Sequence, residues 1–421
     1  MTQPHRVHVV GAGLAGLAAA LVLAEAGVGV VLHEAAPQAG GRCRSYLDAT
    51  LGCRIDNGNH LLIAANRAAM RFVDQIGARH TLTGPGVAAY PFLDRKTGER
   101  WVLHPNTGKI PWWVLAPSRR VKGTGPLAYL STRRVLAAGA EAVVSGALDP
   151  TTTIFRRLWQ PLAVAALNTE TESASAQLFG QVLRESLGAG GQACIPLVPR
   201  EGLSETLVDP ALAKLRSTGA EIRISSRLRS IGFEGDRLAT LDFEGAIETV
   251  HPSEAVVLAL PAPVAARLVP ELIAPDEFRA IVNAHYRIAL RGDAPWFVGV
   301  IGGTAEWVFR KPEVLSVTVS AADRLVATPA ETLAPLLWAD VAAAFELTTE
   351  PMPAWQIVKE KRATFAATPA QLLRRPGAAT RWSNLVLAGD WTATGLPATI
   401  EGAIRSGFTA ADRLLGRNQT G

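Results

Sequence analysis

Three glycines near the start of the chain have the spacing of a turn that holds a dinucleotide. Gly11, Gly13 and Gly16 lie between an apolar stretch and an Ala- and Leu-rich stretch, which predicts a strand at 5–10 and a helix at 14–26. In such a turn the first glycine permits the sharp bend and the second lets the backbone approach a pyrophosphate. The third allows the helix to pack closely on the strand, and the helix N-terminus favours an anion.

An acidic residue at the end of the next predicted strand completes this pattern. Glu34 lies eighteen residues after Gly16, where its carboxylate would accept hydrogen bonds from a ribose. The order of strand, glycine turn, helix, strand and acid is less typical of a chance glycine turn than of a nucleotide site. The pattern alone does not distinguish NAD from FAD.

A glycine pair and an arginine follow the acid across a short loop. These are Gly40, Gly41 and Arg42. A guanidinium is suited to phosphate oxygens, which favours a role for Arg42 in binding the same nucleotide. The alternative is that Arg42 is a solvated loop residue.

A second candidate nucleotide segment lies near the other end of the chain. Gly389 and Asp390 follow a predicted buried strand at 385–388, and a predicted helix begins near Ala398 and runs to about residue 415. A helix N-terminus at this point would direct N–H groups towards negative charge on a ligand.

Together these segments resemble the cofactor-binding segments of flavin amine oxidases, phytoene desaturases and their relatives. In those proteins the arginine and the adjacent backbone meet the diphosphate and the flavin, and the C-terminal acid bonds the ribityl or pyrophosphate region. The resemblance implies that FAD is the cofactor. It implies FAD contacts at Gly11, Gly13, Leu14, Ala15, Gly16, Glu34, Gly40, Gly41, Arg42, Gly58, Asn59, His60, Leu228, Gly389, Asp390, Ala398 and Thr399.

The same resemblance implies an α/β fold, with a Rossmann-like FAD-binding domain of the amine oxidase type and an interleaved α+β substrate-binding domain. Because the two FAD-binding segments lie at opposite ends of the chain, one folded domain must bring them together. We predict an FAD-binding domain from residues 1–75, 192–270 and 375–421, and a substrate-binding domain from 76–191 and 271–374. No second glycine turn of this kind follows a mid-chain strand, so we expect no NAD(P)H domain and leave the electron donor unidentified.

Composition and charge exclude several classes of protein. The chain is 48% hydrophobic and 19% charged, which is typical of a globular protein, and its 421 residues suffice for two domains. The net charge of +5 comes without a Lys/Arg tract or zinc-finger spacing, so we expect no nucleic acid partner. The cysteines, Cys43, Cys53 and Cys194, lack paired spacing, which argues against a metal site and favours a reducing compartment.

The sequence predicts a cytoplasmic protein, with one segment that could lie against the inner face of the cytoplasmic membrane. The N-terminus lacks the features of a signal peptide, and no uninterrupted apolar stretch reaches about 18 residues. Trp112 and Trp113 lie in an apolar stretch followed by Arg119, Arg120 and Lys122, a combination found at membrane interfaces. The alternative is a tryptophan pair packed in the core.

A narrower resemblance rests on segments that the wider superfamily does not share. Residues 159–168 and 359–365, supported by 56–63, 174–179, 199–205 and 389–399, resemble the squalene-associated FAD-dependent desaturase family. The resemblance runs along most of the chain and is weakest at about 85–150. It implies reduction of hydroxysqualene to squalene in hopanoid synthesis, and therefore an apolar triterpenoid partner. Glu201 departs from the pattern, since a small or apolar residue is expected there.

The reaction that this resemblance implies needs an acid. The acid would assist loss of the allylic hydroxyl as water, after which the reduced flavin would give a hydride within a dry cavity. His60 and Asp56 are the candidates, because they lie near the predicted flavin site. The alternative is that both residues only brace the loop around FAD. Lys359, Lys361 and Arg362 form a further polar cluster, either at a site or on a solvated strand edge.

Two other functions fit the same segments. One is an oxidative desaturase acting on a carotenoid or squalene, which would have the opposite electron flow. The other is a non-catalytic escort protein that binds prenyl lipids on the same fold. Intact Glu34, Arg42 and Asp390 argue against the escort protein, because such a protein has no need of a flavin site.

Overall fold

The computed structural model describes residues 3–290 and 292–417. The strands are β1 (Arg6–Val10), β2 (Gly29–His33), β3 (Ser45–Asp48), β4 (Cys53–Asp56), β5 (Leu62–Ile63), β6 (Leu82–Thr83), β7 (Tyr90–Asp94), β8 (Arg100–Leu103), β9 (Pro196–Pro199), β10 (Glu221–Arg223), β11 (Leu228–Glu234), β12 (Arg237–Phe243), β13 (Ala246–Thr249), β14 (Glu254–Leu258), β15 (Phe278–Arg287), β16 (Phe297–Ile301), β17 (Trp307–Arg310), β18 (Val314–Val319), β19 (Trp355–Phe365) and β20 (Leu385–Leu387).

The α-helices are α1 (Leu14–Glu25), α2 (Arg67–Gln75), α3 (Thr132–Leu136), α4 (Val144–Ala147), α5 (Gln160–Leu167), α6 (Ala176–Glu185), α7 (Asp209–Ser217), α8 (Ala262–Leu268), α9 (Ala330–Phe345), α10 (Pro369–Leu372) and α11 (Ile400–Leu414). Short 3₁₀ turns span Arg79–Thr81, Trp112–Leu115, Pro126–Ser131, Leu187–Ala189 and Ala322–Leu325, and π turns span Phe155–Trp159 and Ser204–Val208.

A five-stranded parallel sheet carries the glycine turn. Its strands lie in the order β10-β2-β1-β14-β20, so strands from both ends of the chain meet in one sheet. All five residues of β14 are buried, which is typical of a parallel sheet covered on both faces. Helices α1, α7 and α11 cover one face, and the antiparallel sheet β11-β12-β13 covers the other. This arrangement confirms the predicted α/β fold class.

The helices that follow the two candidate nucleotide segments pack directly against each other. A Cβ atom on Gly407 of α11 would lie 2.2 Å from the Ala15 carbonyl oxygen of α1. Only a glycine permits that approach. The contact places the N-terminal turns of both helices on the same side of the parallel sheet.

A seven-stranded sheet lies beyond the parallel sheet, in the order β19-β15-β18-β17-β16-β7-β8. Its pairings are antiparallel except for β7 with β16. Alternate residues such as Val282, Val298, Val308 and Val317 point to one face, where α9 covers them. The opposite face therefore carries the residues between them in sequence, and these form part of the candidate site.

The predicted boundaries of the elements need small changes. The first helix ends at Glu25, one residue earlier than predicted, and the last strand ends at Leu387. The last helix begins at Ile400, because the Thr399 hydroxyl accepts a hydrogen bond from the Gly402 N–H and caps it. Among the described residues, no helix has both the length and the apolar character needed to cross a bilayer.

Candidate functional site

The glycine turn has the geometry that its spacing predicts. Gly11 has φ of +106°, and a Cβ there would lie 2.4 Å from the Ala259 carbonyl oxygen. A Cβ on Gly16 would lie 1.8 Å from the Gly11 carbonyl oxygen, so neither position admits a side chain. Gly13 differs, because no atom lies within 4 Å of a Cβ built there. Open space therefore lies before the first turn of α1, where no side chain caps the N–H groups.

The Glu34 carboxylate holds this turn in place. Its Oε2 accepts a hydrogen bond from the Ala12 N–H at 2.9 Å, and its Oε1 accepts one from the Ala36 N–H at 2.8 Å. Each oxygen keeps a further lone pair for a ribose hydroxyl. The Ser226 N–H donates to the Glu34 carbonyl at 2.8 Å, which brings the segment leading into Leu228 alongside the same loop.

Arg42 and Asp390 join the two ends of the chain. The guanidinium Nη2 lies 2.7 Å from Asp390 Oδ1, and Nη1 donates to the Ala363 carbonyl. Attraction to Asp390 raises the pKa of Arg42, which is therefore always charged. The Gly40 N–H donates to the Ala12 carbonyl at 2.8 Å, so the glycine pair lies beside the first glycine turn. The structure thus brings all three predicted segments together.

Sequence reasoning missed the residue that organises the C-terminal segment. Arg375 donates hydrogen bonds to the carbonyls of Leu396, Asp390 and Thr392, and its guanidinium lies 4.8 Å from the centroid of the Phe365 ring. Burial lowers the pKa of Arg375 to about 10. Nothing in its local sequence distinguishes this arginine, because all of these partners are defined only by folding.

Asp56 lies in a buried ion pair. Its Oδ2 is 3.0 Å from Lys311 Nζ, and its Oδ1 accepts hydrogen bonds from Ser45 Oγ at 2.6 Å and the Leu203 N–H at 2.9 Å. Only 3% of the Asp56 side chain and 9% of the Lys311 side chain is exposed. These contacts engage both carboxylate oxygens as acceptors.

His60 and its neighbours extend this loop towards the seven-stranded sheet. Burial is the main factor that lowers the pKa of His60 to about 4, with Arg42 and Lys311 acting in the same direction and Asp56 opposing them. The imidazole is therefore neutral at pH 7. Asn59 Nδ2 donates to Thr318 Oγ1 at 3.2 Å. Asn59 Oδ1 is buried and has no hydrogen-bond partner among the described residues.

The sheet face opposite α9 is polar next to this loop and aromatic beyond it. Thr318 pairs with Asn283 on one side and with Trp307 on the other, so these three side chains share a face. Further aromatic residues continue it, namely Phe309 on β17, Phe297 on β16, and Tyr90 and Phe92 on β7. The Phe92 and Trp307 ring centroids lie 5.5 Å apart. A polar edge therefore leads directly onto an apolar wall.

A carboxyl just before β17 has a raised pKa. Burial raises the pKa of Glu306 to about 7, although the Ser320 N–H donates to its Oε2 at 2.7 Å. Glu306 immediately precedes Trp307, and Ser320 lies two residues beyond Thr318. The sequence offered no signal for this residue, because its environment comes from distant segments.

One cluster has the residue types of a metal site. His8, His33 and Glu248 place one ligand atom each within 4.8 Å of one another, at the interface between the parallel sheet and β13. Arg223 already pairs with the Glu248 carboxylate, and a guanidinium there opposes a second cation. Burial lowers the pKa of both histidines, so two neutral rings sharing a hydrogen bond account for the cluster.

A family model described as flavin containing amine oxidoreductase matches residues 14–291 and 295–415. The chain belongs to this family. Two oxidases of known structure share its fold. A putrescine oxidase variant is 15% identical with a TM-score of 0.71, and cyclohexylamine oxidase from Brevibacterium oxydans is 17% identical with a TM-score of 0.65. Both matches cover 98% of this chain and 99% of the other.

Three relatives are similar to almost the whole chain, and all three are hydroxysqualene dehydroxylases. The Rhodopseudomonas palustris protein is 48% identical over 97% of this chain and 98% of its own length. The Sinorhizobium fredii protein is 46% identical over 99% and 100%, and the Zymomonas mobilis protein is 43% identical over 97% and 98%. The chain is thus an FAD-dependent oxidoreductase.

The residues present fit the FAD cofactor of this family. The open space at Gly13 and the uncapped turn of α1 suit a pyrophosphate. Asn59 Oδ1 needs a hydrogen-bond donor, which a bound flavin ring has in its N–H group. Trp391 follows Asp390 and donates its indole N–H to the Leu260 carbonyl at 2.9 Å. This hydrogen bond holds the loop at Asp390 against the loop that follows β14.

Proposed function

We propose that this flavoenzyme reduces hydroxysqualene to squalene with loss of water. The proposal rests on the likeness to hydroxysqualene dehydroxylases over nearly the full chain. The observation that carries it is the sheet face on which polar Asn283 and Thr318 are followed by Trp307 and Phe309. A polar edge beside the cofactor suits a reacting hydroxyl group, and the aromatic wall suits the hydrocarbon chain on either side.

The reaction is balanced if one proton and one hydride are supplied. The C–O bond breaks, the hydroxyl takes the proton and leaves as water, and the carbon takes the hydride. FAD bound at this site would supply that hydride when reduced, and a two-electron donor would be needed to reduce it before each turnover. The protein contributes orientation and a water-free surface, because water reaching the carbocation would reform the alcohol.

We propose that FAD lies against the residues predicted from the sequence, from Gly11 to Gly16, at Glu34, at 40–42, at 58–60, at Leu228 and at 389–399. The substrate-binding domain would then comprise 76–191 and 271–374, and the FAD-binding domain the remainder. The parallel sheet uses strands from 6–33, 221–258 and 385–387, and the seven-stranded sheet uses strands from 90–103 and 278–365, which supports this division.

Glu306 is the better candidate for the proton donor. A donor must carry its proton at working pH, and burial raises the pKa of Glu306 to about 7, so that about half of the Glu306 carboxyls hold a proton at neutral pH. Neutral His60 is a very weak acid, and Asp56 is engaged by Lys311 as a hydrogen-bond acceptor. We propose that His60 and Asp56 position the loop against the flavin.

Glu306→Gln is expected to lower kcat about 100-fold without changing FAD content. In the parent enzyme kcat should fall as the pH rises through about 7, because the carboxyl loses its proton there. The variant should lack that decline, since glutamine does not titrate. Single-turnover measurements from pH 5.5 to 8.5 with pre-reduced enzyme would show both effects. Glu313→Gln, at an exposed position, is the control. An unchanged pH profile in Glu306→Gln would exclude this role.

An anaerobic turnover experiment tests the proposed function. The purified protein is reduced with dithionite, hydroxysqualene is added, and extracts are analysed by gas chromatography and mass spectrometry. We expect squalene to appear in proportion to the flavin that is reoxidised. Oxidised enzyme that desaturates squalene or a carotenoid would indicate the reverse electron flow. A colourless protein that binds lipid would indicate an escort protein.

We propose that the enzyme works on the inner surface of the cytoplasmic membrane. A triterpenoid substrate partitions into lipid, so a protein that acts on it gains from contact with the bilayer. Trp112 is half exposed, whereas Trp113 is buried against Tyr129 with ring centroids 5.1 Å apart. Trp113 is therefore packed in the core, and we propose the membrane contact for Trp112 alone.

A further inference from the structure

Exposed apolar side chains are concentrated in one short part of the chain. Fourteen large hydrophobic side chains are exposed among the described residues, and six of these lie between residues 110 and 136. Single exposed apolar residues are normal on a protein surface, but such a concentration needs an explanation. The six residues are Ile110, Trp112, Leu115, Leu127, Leu130 and Leu136.

The fold brings these residues onto one surface. Trp113 from the 3₁₀ turn Trp112–Leu115 packs against Tyr129 from the turn Pro126–Ser131. The Val121 N–H donates to the Tyr129 hydroxyl at 2.9 Å and closes the loop between the turns. Trp113 and Tyr129 face inward and Val114 and Ala128 are partly buried, whereas Trp112, Leu115, Leu127 and Leu130 are exposed. Helix α3 continues directly from the second turn and adds Leu136.

The same segment accounts for the net positive charge of the protein. Residues 101–140 contain six Lys or Arg residues and no Asp or Glu, whereas the rest of the chain has 36 basic and 37 acidic residues. The six are Lys109, Arg119, Arg120, Lys122, Arg133 and Arg134. We call these cations and the six exposed apolar residues the basic apolar surface.

Most of this charge is not neutralised by the protein. Arg120 donates to the carbonyls of Val114 and Thr124, and Arg119 donates to that of His104, so their partners are uncharged. Within residues 3–290 and 292–417, Lys122 is the one cation of the six that forms an ion pair, with Glu99 at 3.2 Å. The surface therefore attracts anions.

The aromatic residue of this surface has the environment typical of a membrane interface. The Arg119 guanidinium lies 5.0 Å from the centroid of the half-exposed Trp112 ring. Tryptophan and arginine are both enriched where hydrocarbon meets phosphate head groups. A cavity of about 490 Å³ adjoins the surface, and its lining includes Leu127, Leu130 and Trp159 together with Arg134 and Asp149.

We propose that the basic apolar surface docks this protein on an anionic phospholipid bilayer, with the six apolar side chains in the interface and the cations against lipid phosphates. Because the surface is positively charged, an anionic bilayer is a better partner for it than a neutral apolar surface. This inference rests on the membrane contact proposed above and identifies anionic lipid as its partner. Because membrane binding is measured without turnover, it can be tested separately from the catalytic function.

Co-sedimentation of the FAD-loaded protein with vesicles tests this surface. Vesicles of phosphatidylcholine with about 30% phosphatidylglycerol should bind it, and vesicles of phosphatidylcholine alone should bind it at least about tenfold more weakly. Binding should decrease as salt is raised from about 0.05 M to 0.5 M, because salt screens the charges. The variant with Ile110→Ser, Leu115→Ser and Leu127→Ser should bind about tenfold more weakly than the parent.

A matched control separates this surface from general surface hydrophobicity. Ile247, Ile273 and Leu373 are 71, 63 and 75% exposed, against 79, 66 and 78% for Ile110, Leu115 and Leu127. Serine at all three control positions should leave vesicle binding unchanged. Equal losses in both variants, or full binding by the first, would overturn the proposal. So would a dimer that the first variant makes monomeric, with no vesicle binding by the parent.

Turnover in detergent distinguishes this inference from the proposed function. The variant of the basic apolar surface should match the parent with hydroxysqualene in micelles, because its catalytic site is unchanged. A parent that binds vesicles but makes no squalene would refute the function and leave the docking surface standing. Squalene formation in micelles without vesicle binding would support the function and refute the docking surface.

Discussion

Gly13→Ala is expected to give a folded protein that binds FAD at least about tenfold more weakly, equivalent to a loss of about 1.4 kcal/mol or more. A Cβ at this position meets no protein atom within 4 Å, and φ is −73°, so the substitution strains nothing in the protein. The methyl group would instead occupy the space where the pyrophosphate approaches the first turn of α1. Flavin absorbance after gel filtration and thermal unfolding of the apoprotein measure the two quantities separately.

Two other glycine variants serve as comparisons for Gly13→Ala. Gly125→Ala also places a methyl group in open space, away from the glycine turn, and should retain FAD. Gly16→Ala places Cβ 1.8 Å from the Gly11 carbonyl oxygen, so it should destabilise the apoprotein as well as release FAD. Parental FAD affinity in Gly13→Ala would show that this turn does not hold the pyrophosphate.

Asp56→Asn is expected to lower the free energy of unfolding by about 3–5 kcal/mol. The change leaves the buried Lys311 ammonium without a countercharge, because its other acceptor among the described residues is the uncharged Pro199 carbonyl at 3.1 Å. A large decrease in the urea midpoint should therefore accompany any loss of activity. This expectation differs from that for a catalytic acid, whose removal would spare stability.

Two further variants serve as controls for this ion pair, one that also replaces Lys311 and one that breaks an exposed ion pair. The double variant with Asp56→Asn and Lys311→Met should recover most of the lost stability, because it removes both buried charges. Asp74→Asn breaks the exposed pair with Arg79 and should change stability by less than about 1 kcal/mol. A midpoint for Asp56→Asn close to that of Asp74→Asn would contradict the structural role.

Residues whose role depends on backbone geometry could be predicted from the sequence. Gly11, Gly16 and Glu34 act through short-range spacing, and the structure places them as that spacing requires. The resemblance to flavin amine oxidases gave the fold class and indicated that the two ends of the chain meet, but the direct ion pair between Arg42 and Asp390 came only from the structure.

Residues whose role depends on distant partners could not be predicted in this way. Asp56 was a reasonable candidate acid from its neighbours, but Lys311 lies 255 positions away in the sequence. Glu306 and Arg375 owe their shifted pKa values to burial, which no local pattern reveals. Trp112 and Trp113 are adjacent in the sequence, yet Trp112 is half exposed and Trp113 is buried, because the 3₁₀ turn points them in different directions.

The pairing of β14 with β1 and β20 has a consequence for how the protein matures on the ribosome. β1 emerges first, but its neighbour β14 is translated some 250 residues later and β20 last of all. Until then the apolar edge of β1 lacks a partner, and Arg42 lacks Asp390. The apolar edge of β1 is therefore open to wrong pairing during synthesis, and the Arg42–Asp390 pair can form only after the C-terminal segment has left the ribosome.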